Sequence, residues 1–360
     1  AVYETMQQIP QFVRNENFNS ENRTLSKWTL TGSNLVDDIS IEDNGEVKNV
    51  NISSITFENA NPRIALIEGK RGTYFSNRLH HALVRFVTNN GNDSVAVSKI
   101  LFEKYGIKTE IPDYLELTGE VEQRFQPFHP SELVEIISMF EEMPRGMHKI
   151  AGLNYLVRRL DGTRNDYMPE APAIAWVDSG YIEFMELGFN SDSLDYVHRL
   201  ILHEKAHFLW GLVFDETLKD DWIELGGWYE DSSKVEGWST TKTTEFVSAY
   251  AHLKNPNEDM AESISFFIIN PDKLRSRSNS KYEFIRDRIM QGNVYISKIR
   301  EDLTFEVYNL YPDYVYPGKI RRINVSVIGQ PTDEKLVTVE LELHALDGVL
   351  EGAQWARMRI

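Results

Sequence analysis

The run from about Asp192 to Trp210 is apolar around almost the whole of a helical wheel. Leu194, Val197, Ile201 and Phe208 form one stripe, Leu202 and Leu209 a second, and Leu200, Ala206 and Trp210 border what remains. A helix of this kind is buried on most sides, so the chain has to fold around it. Inside the run lies His203-Glu204-Lys205-Ala206-His207, an H-E-x-x-H segment. Buried imidazoles need hydrogen-bond partners or a metal ion. Residues four apart share a helix face, so His203 and His207 can turn both rings to one ion with Glu204 beside them. Zinc takes neutral nitrogen ligands in a tetrahedral array, and hydrolysis needs a carboxylate within reach of the activated water. The plainer alternative is a helix with two satisfied histidines and a solvated glutamate.

A catalytic zinc site has three protein ligands and an open position. The longer pattern that takes a third histidine from the same segment is excluded, because Trp210 and Val213 stand where its glycine and histidine belong. The best remaining source is Asn255-Pro256-Asn257-Glu258-Asp259-Met260-Ala261-Glu262. Asn255 reads as a helix N-cap with Pro256 at the first helical position. The apolar stripe of the helix is then Met260, Ile264, Phe267 and Ile268, and Glu258 and Glu262 share the opposite face one turn apart. Two readings compete. Glu258 closes a capping box with Asn255 while Glu262 is solvated, or Glu258 binds the ion while Glu262 steadies a ligating histidine from behind.

These motifs resemble the gluzincin arrangement, in which Glu-x-x-x-Glu on a helix follows H-E-x-x-H. Ser248-Ala249-Tyr250-Ala251 followed by Asn255 to Glu262 is similar to the S-x-Y-A…N-P-x-E-D-x-A-E pattern of bacterial zinc metallopeptidases. More distantly it resembles the catalytic domain of anthrax lethal factor and the Pro-Pro endopeptidases. The likeness spans roughly residues 174–290. It implies that His203, His207 and Glu258 bind Zn2+, that Glu204 is the general base, that Glu262 supports a ligand, and that Tyr250 contacts the reacting carbonyl. Tyr250 stands one residue further from Glu258 than in the lethal-factor group, which makes His252 a second candidate; Tyr250 also reads as a simple packed aromatic. The expected function is a zinc endopeptidase acting on protein or peptide. The rivals are a zinc aminopeptidase, a glycoprotein-directed peptidase, or a non-catalytic surface-binding or adhesion module with a residual metal site.

Composition narrows the partners. The 360 residues carry a formal net charge of −17, which opposes binding to nucleic acid or anionic lipid. No apolar run is long enough for a transmembrane helix. Cysteine is absent, so disulfides and thiolate ligation are excluded and the redox compartment stays open. The chain opens at Ala1 without a basic-then-apolar leader, as a mature or trimmed chain would, or one that is not exported. A secreted, periplasmic or cell-surface location is the expectation.

The expected fold class is α+β, a zincin-like metallopeptidase domain over 69–298 between a β-rich region over 1–68 and a β-sandwich-like region over 299–360. Short β-rich runs at 28–31, 36–41 and 47–57 mark the first region. Helices are expected over 74–87, 95–105, 132–142 and 282–290, with 153–160 continuing helically. Arg158 and Arg159 there read as a solvated face, or as a site for acidic substrate groups. Residues 173–177 and 181–185 read as a hairpin, and the resemblance implies that a strand here pairs with extended substrate. Residues 214–244 read as a long ordered loop walling the cleft. Runs at 320–328, 335–343 and 353–360 alternate at period two, and the last ends inside a strand, as if the natural chain continues.

Overall fold

The computed structural model describes residues 27–31, 39–43, 48–53, 78–116, 124–191 and 193–295, followed by isolated strands between 304 and 359. Two units divide the chain, Ala1–Ser297 and Lys298–Ile360. The first mixes helices and small sheets in an α+β arrangement. In the second, β10 (Thr304–Tyr308) pairs with β11 (Asn324–Ile328), β12 (Leu336–Leu341) with β15 (Gln354–Arg359), and β13 (His344–Ala345) with β14 (Gly348–Val349), each antiparallel.

In the first unit, β1 (Lys27–Thr31) runs parallel to β3 (Lys48–Ser53), which is antiparallel to β2 (Ile39–Asp43). A second sheet has the order β4-β5-β7-β6, from Phe125–Gln126, Tyr155–Arg159, Tyr181–Phe184 and Ala173–Trp176. β6 and β7 form the expected antiparallel hairpin, and β6 lies at the edge. Strand β5 replaces the helix expected over 153–160. Leu156 and Val157 are adjacent yet both buried, so both sheet faces are covered and the period-two signature is lost.

Among the described residues the α-helices of five residues or more are α1 (Arg78–Val87), α2 (Ser94–Ile100), α3 (Pro130–Glu142), α4 (Leu194–Leu212), α5 (Glu216–Leu225), α6 (Ala249–Leu253), α7 (Pro256–Ile269), α8 (Pro271–Arg277) and α9 (Asn279–Phe284). Helix α2 widens into a π-helical turn at Leu101–Tyr105 and stops at Gly106, whose φ of 72° is left-handed. Helix α9 likewise runs into a π-helical turn at Ile285–Ile289. Residues 214–244 are not a loop. Asp215 caps α5 by accepting from the Leu218 amide at 2.8 Å, and β8 (Trp228–Glu230) pairs with β9 (Trp238–Thr240). Trp222 and Trp228 from this stretch belong to the core.

Helix α4 is the axis of the unit. It packs along α7 and against α3 and β6. Ile201, Leu202, Ala206, Phe208 and Leu209 are wholly buried, each large side chain among them contributing about 1.5–3 kcal/mol through removal from water. Gly211 lets the end of the hairpin approach α4, since a Cβ there would meet Val177 Cγ1 at 2.8 Å.

Buried charges are paired. Arg158 grips Glu132 with Nε and Nη2 at 3.0–3.1 Å, and Arg159 Nε meets Glu183 at 2.5 Å, so neither arginine is solvated or offered to a ligand. Lys205, on the side of α4 away from the imidazoles, reaches the His148 carbonyl at 3.3 Å and lies 4.0 Å from the centre of the Phe140 ring; burial pulls it down to about 7. On α7, fully buried Asp259 accepts from Lys281 Nζ at 2.8 Å and from Trp228 Nε1 at 3.2 Å, tying the helix to α9 and the β8–β9 hairpin.

Helices α1, α3 and α4 meet at Glu135, which binds Arg85 and accepts from His198 Nε2 at 2.7 Å. Burial opposes its charge, but His198 and Arg85 prevail and hold it down at about 2, against an ordinary 4.5. A depressed carboxylate stabilises the fold above its unfolded value, and that stability is lost as pH falls through the folded value. We therefore expect urea-unfolding free energy to decline between pH 4.5 and about 2 by roughly 3 kcal/mol through this group. In Glu135→Gln that part of the acid limb should be missing; an unchanged limb would show that Glu135 is not the group responsible.

Candidate metal centre

Two helices meeting side by side make the site. Helix α4 presents His203 and His207 one turn apart, and α7 presents Glu258 and Glu262 with the same spacing. Asn255 caps α7, its Oδ1 accepting from the Glu258 amide at 3.0 Å. The Glu258 carboxylate does not turn back to complete a capping box; it faces the histidines.

His203 Nε2 lies 3.1 Å from His207 Nε2 and 3.1 Å from Glu258 Oε2, and His207 Nε2 lies 3.4 Å from the same oxygen. The outer ring atoms settle the protons. His207 Nδ1 meets Asn257 Oδ1 at 3.0 Å, and His203 Nδ1 stands 3.2 Å from Glu262 Oε1. Both partners are acceptors, so in neutral rings both Nδ1 atoms carry the hydrogen and both Nε2 atoms carry a bare lone pair. In neutral rings three lone-pair donors then converge with no proton among them, and neither buried Glu258 Oε2 nor buried His203 Nδ1 makes an aligned hydrogen bond. Such a group suits a cation. Ligand atoms around tetrahedral zinc, bonded at about 2.0–2.1 Å, stand about 3.3 Å from one another, as these do. His203, His207 and Glu258 can thus hold a metal ion.

The field agrees in sign. Burial opposes a charge on His203, but Glu258 and Glu262 outweigh it and hold the ring up at about 10 in the absence of a cation. Glu258 suffers the same burial and is nevertheless driven far below the usual carboxylate range by His203 and His207. Glu262 is lowered for the same reason, burial being overcome by its contact with His203. Glu204, 5% exposed, moves the other way: burial pushes its carboxyl up, moderated by the two histidines and by a hydrogen bond from the Ala175 amide on β6.

Tyr250 and His252, both expected as candidates, part company. The Tyr250 ring centre is 6.1 Å from that of His203, and its hydroxyl bonds Glu258. Burial, then Glu258 and Glu204, push this phenol well above its ordinary value, so it stays protonated and able to donate. His252 sits two residues on, turned away from Tyr250, with its ring 4.9 Å from Phe246. Sequence reasoning missed Asn257, which no spacing rule marks. It also gave no role to Ser248, whose side chain bonds Glu262 and accepts from the Ala251 amide at 3.0 Å. The signal for Ser248 was the serine two residues before Tyr250.

No family model, curated protein or solved structure matches this chain. The site therefore rests on its own geometry. Titration with Zn2+ against a chelating competitor should give one tight site. Glu258→Ala should weaken it by at least about a hundredfold, and Glu262→Gln by about 10–100-fold. Equal affinities in all three proteins would remove the centre.

Proposed function

We propose that this chain is a zinc-dependent endopeptidase of the gluzincin kind, with a zincin-like arrangement of edge strand and paired helices. The observation that carries the reading is the convergence of three atoms able to bind a metal, from His203, His207 and Glu258, with a buried carboxylate next in sequence to the first. A site built only to hold structure closes its fourth position with protein and has no need of a base. Here the fourth donor is absent from the group of ligands among the described residues, and Glu204 stands ready.

Zinc bound there supplies Lewis-acid activation of water and of the scissile carbonyl. The protein does the rest. Glu204, raised by burial, accepts a proton from the attacking water and passes it to the departing amine nitrogen. The Tyr250 hydroxyl donates to the oxygen that gains negative charge at the carbonyl, where a preorganised donor contributes most. Glu262 and Asn257 hold the imidazoles in the tautomer that keeps both Nε2 atoms free. Strand β6 is a sheet edge, and its Ala175 amide touches Glu204, so an extended peptide added along β6 passes the reacting groups. Among the described residues no helix is long and apolar enough to cross a membrane.

Blocked peptides provide the test, because they offer neither free end to an exopeptidase. Zinc-loaded protein should cleave them internally, and Glu204→Gln should keep its zinc while losing about a thousandfold or more in kcat. A Glu204→Gln protein turning over at the wild-type rate defeats the proposal. In Tyr250→Phe, kcat should fall by about 10–1000-fold with little change in KM. A rise in KM alone would give Tyr250 a role in binding only.

A further inference from the structure

On the far side of α6 from Tyr250 lies a pocket of about 390 Å³. His252, Lys273 and Arg277 line it together with the hydroxyl-bearing Thr243, Thr244 and Ser248, and no carboxylate is among its lining residues. In a chain of net charge −17 such a concentration of positive charge is out of character. Its floor is apolar. Phe246, buried, packs against His252 with the two rings tilted by 40° and holds that ring in the wall. Lys273 is held by another ring, its Nζ 4.4 Å from the centre of Phe266, and the Arg199 guanidinium stands at the same distance from that ring. Arg199 is one turn before His203 on α4, so the positive region extends from the pocket towards the metal helix. Ser248 belongs to both places, lining the pocket and bonding Glu262, which stands behind His203.

We propose that this pocket is a substrate subsite that takes a carboxylate of the peptide, and so gives the enzyme a preference for acidic sequences. The inference rests on the endopeptidase reading above. The Lys273 ammonium, the Arg277 guanidinium and the Thr243 and Thr244 hydroxyls supply donors on several sides, the chemistry a carboxylate requires. The short helix α6 and its cap line the pocket with Ser248, Ala249 and His252 and carry Tyr250 beside the metal ligands. A helix is about 10 Å across with its side chains, and an extended peptide advances about 3.3 Å per residue. The acidic residue therefore sits about three residues from the bond that is cut.

A single Glu moved along a neutral, end-blocked peptide reads this directly. With zinc-loaded wild type, kcat/KM should peak about tenfold above the Gln peptide when Glu is about three residues from the cleaved bond. The preference should shrink in high salt, because the pocket is open to solvent. Lys273→Glu with Arg277→Glu should invert it, favouring a Lys peptide over the Glu peptide. A second series, Gln throughout and with a free C-terminus, separates the source: a preference seen there alone assigns the carboxylate to the chain end. Calorimetry of the Glu and Gln peptides on zinc-loaded Glu204→Gln protein reads the pocket without turnover. Failure of wild type to cut any peptide would end the endopeptidase reading, and the calorimetry would still decide the pocket. Equal affinity and equal kcat/KM for Glu, Gln and free-end peptides overturn the subsite.

Discussion

Three lone-pair-bearing atoms facing one another inside a protein repel, and everything at this site depends on that repulsion being held in place. His203, His207 and Glu258 are brought within 3.4 Å by the packing of α4 along α7, two helices that bury most of their length. Packing of apolar side chains on the remaining faces supplies the restoring force, since each buried Leu, Ile or Phe contributes about 1.5–3 kcal/mol. A cation converts the repulsion to attraction. Without one, a proton on His203 does part of the same work, which is why that ring is held up at about 10.

The rotation of α7 matters as much as its position. Glu258 and Asp259 are neighbours whose side chains serve different surroundings: one faces the histidines, the other is sealed against Lys281 and Trp228. A buried ion pair is weak evidence for stability, because desolvation offsets its attraction. Its geometric consequence is clearer. A small turn of α7 would uncover an unpaired charge at Asp259, so the pair resists the motion that would carry Glu258 away from the histidines. The β8–β9 hairpin, through Trp228, takes part in the same lock, and α6 adds Tyr250 and Ser248 from the opposite end.

Much of the local structure was legible. The N-cap at Asn255 with Pro256 after it, the apolar stripe of α7 and the antiparallel β6–β7 hairpin all follow from short-range rules, and they are present. The misreadings have physical causes. Strand β5 has apolar neighbours buried on both faces, so it lost the alternation that distinguishes a strand from a helix. Helix α5 was hidden by its charges, although Asp215 before it and Gly226 after it are ordinary start and stop signals. Arg158 and Arg159 read as solvent-facing because adjacent charges usually are, whereas each had a distant carboxylate to pair with.

What the sequence alone determined is the half of the site lying within one helical turn. A four-residue spacing places His203 and His207 together whatever the rest of the chain does, and Glu204 is carried beside them by the same backbone. It left Glu258 open between a cap and a ligand, and Tyr250 open against His252. Only the tertiary structure places Glu258 and Tyr250 beside the histidines and His252 against Phe246, because that turns on which groups from separate helices share one small volume. Hydrogen bonds along a helix are local and can be read from spacing. A carboxylate fifty residues away is brought to the histidines by the packing of the whole unit, and no spacing rule contains that.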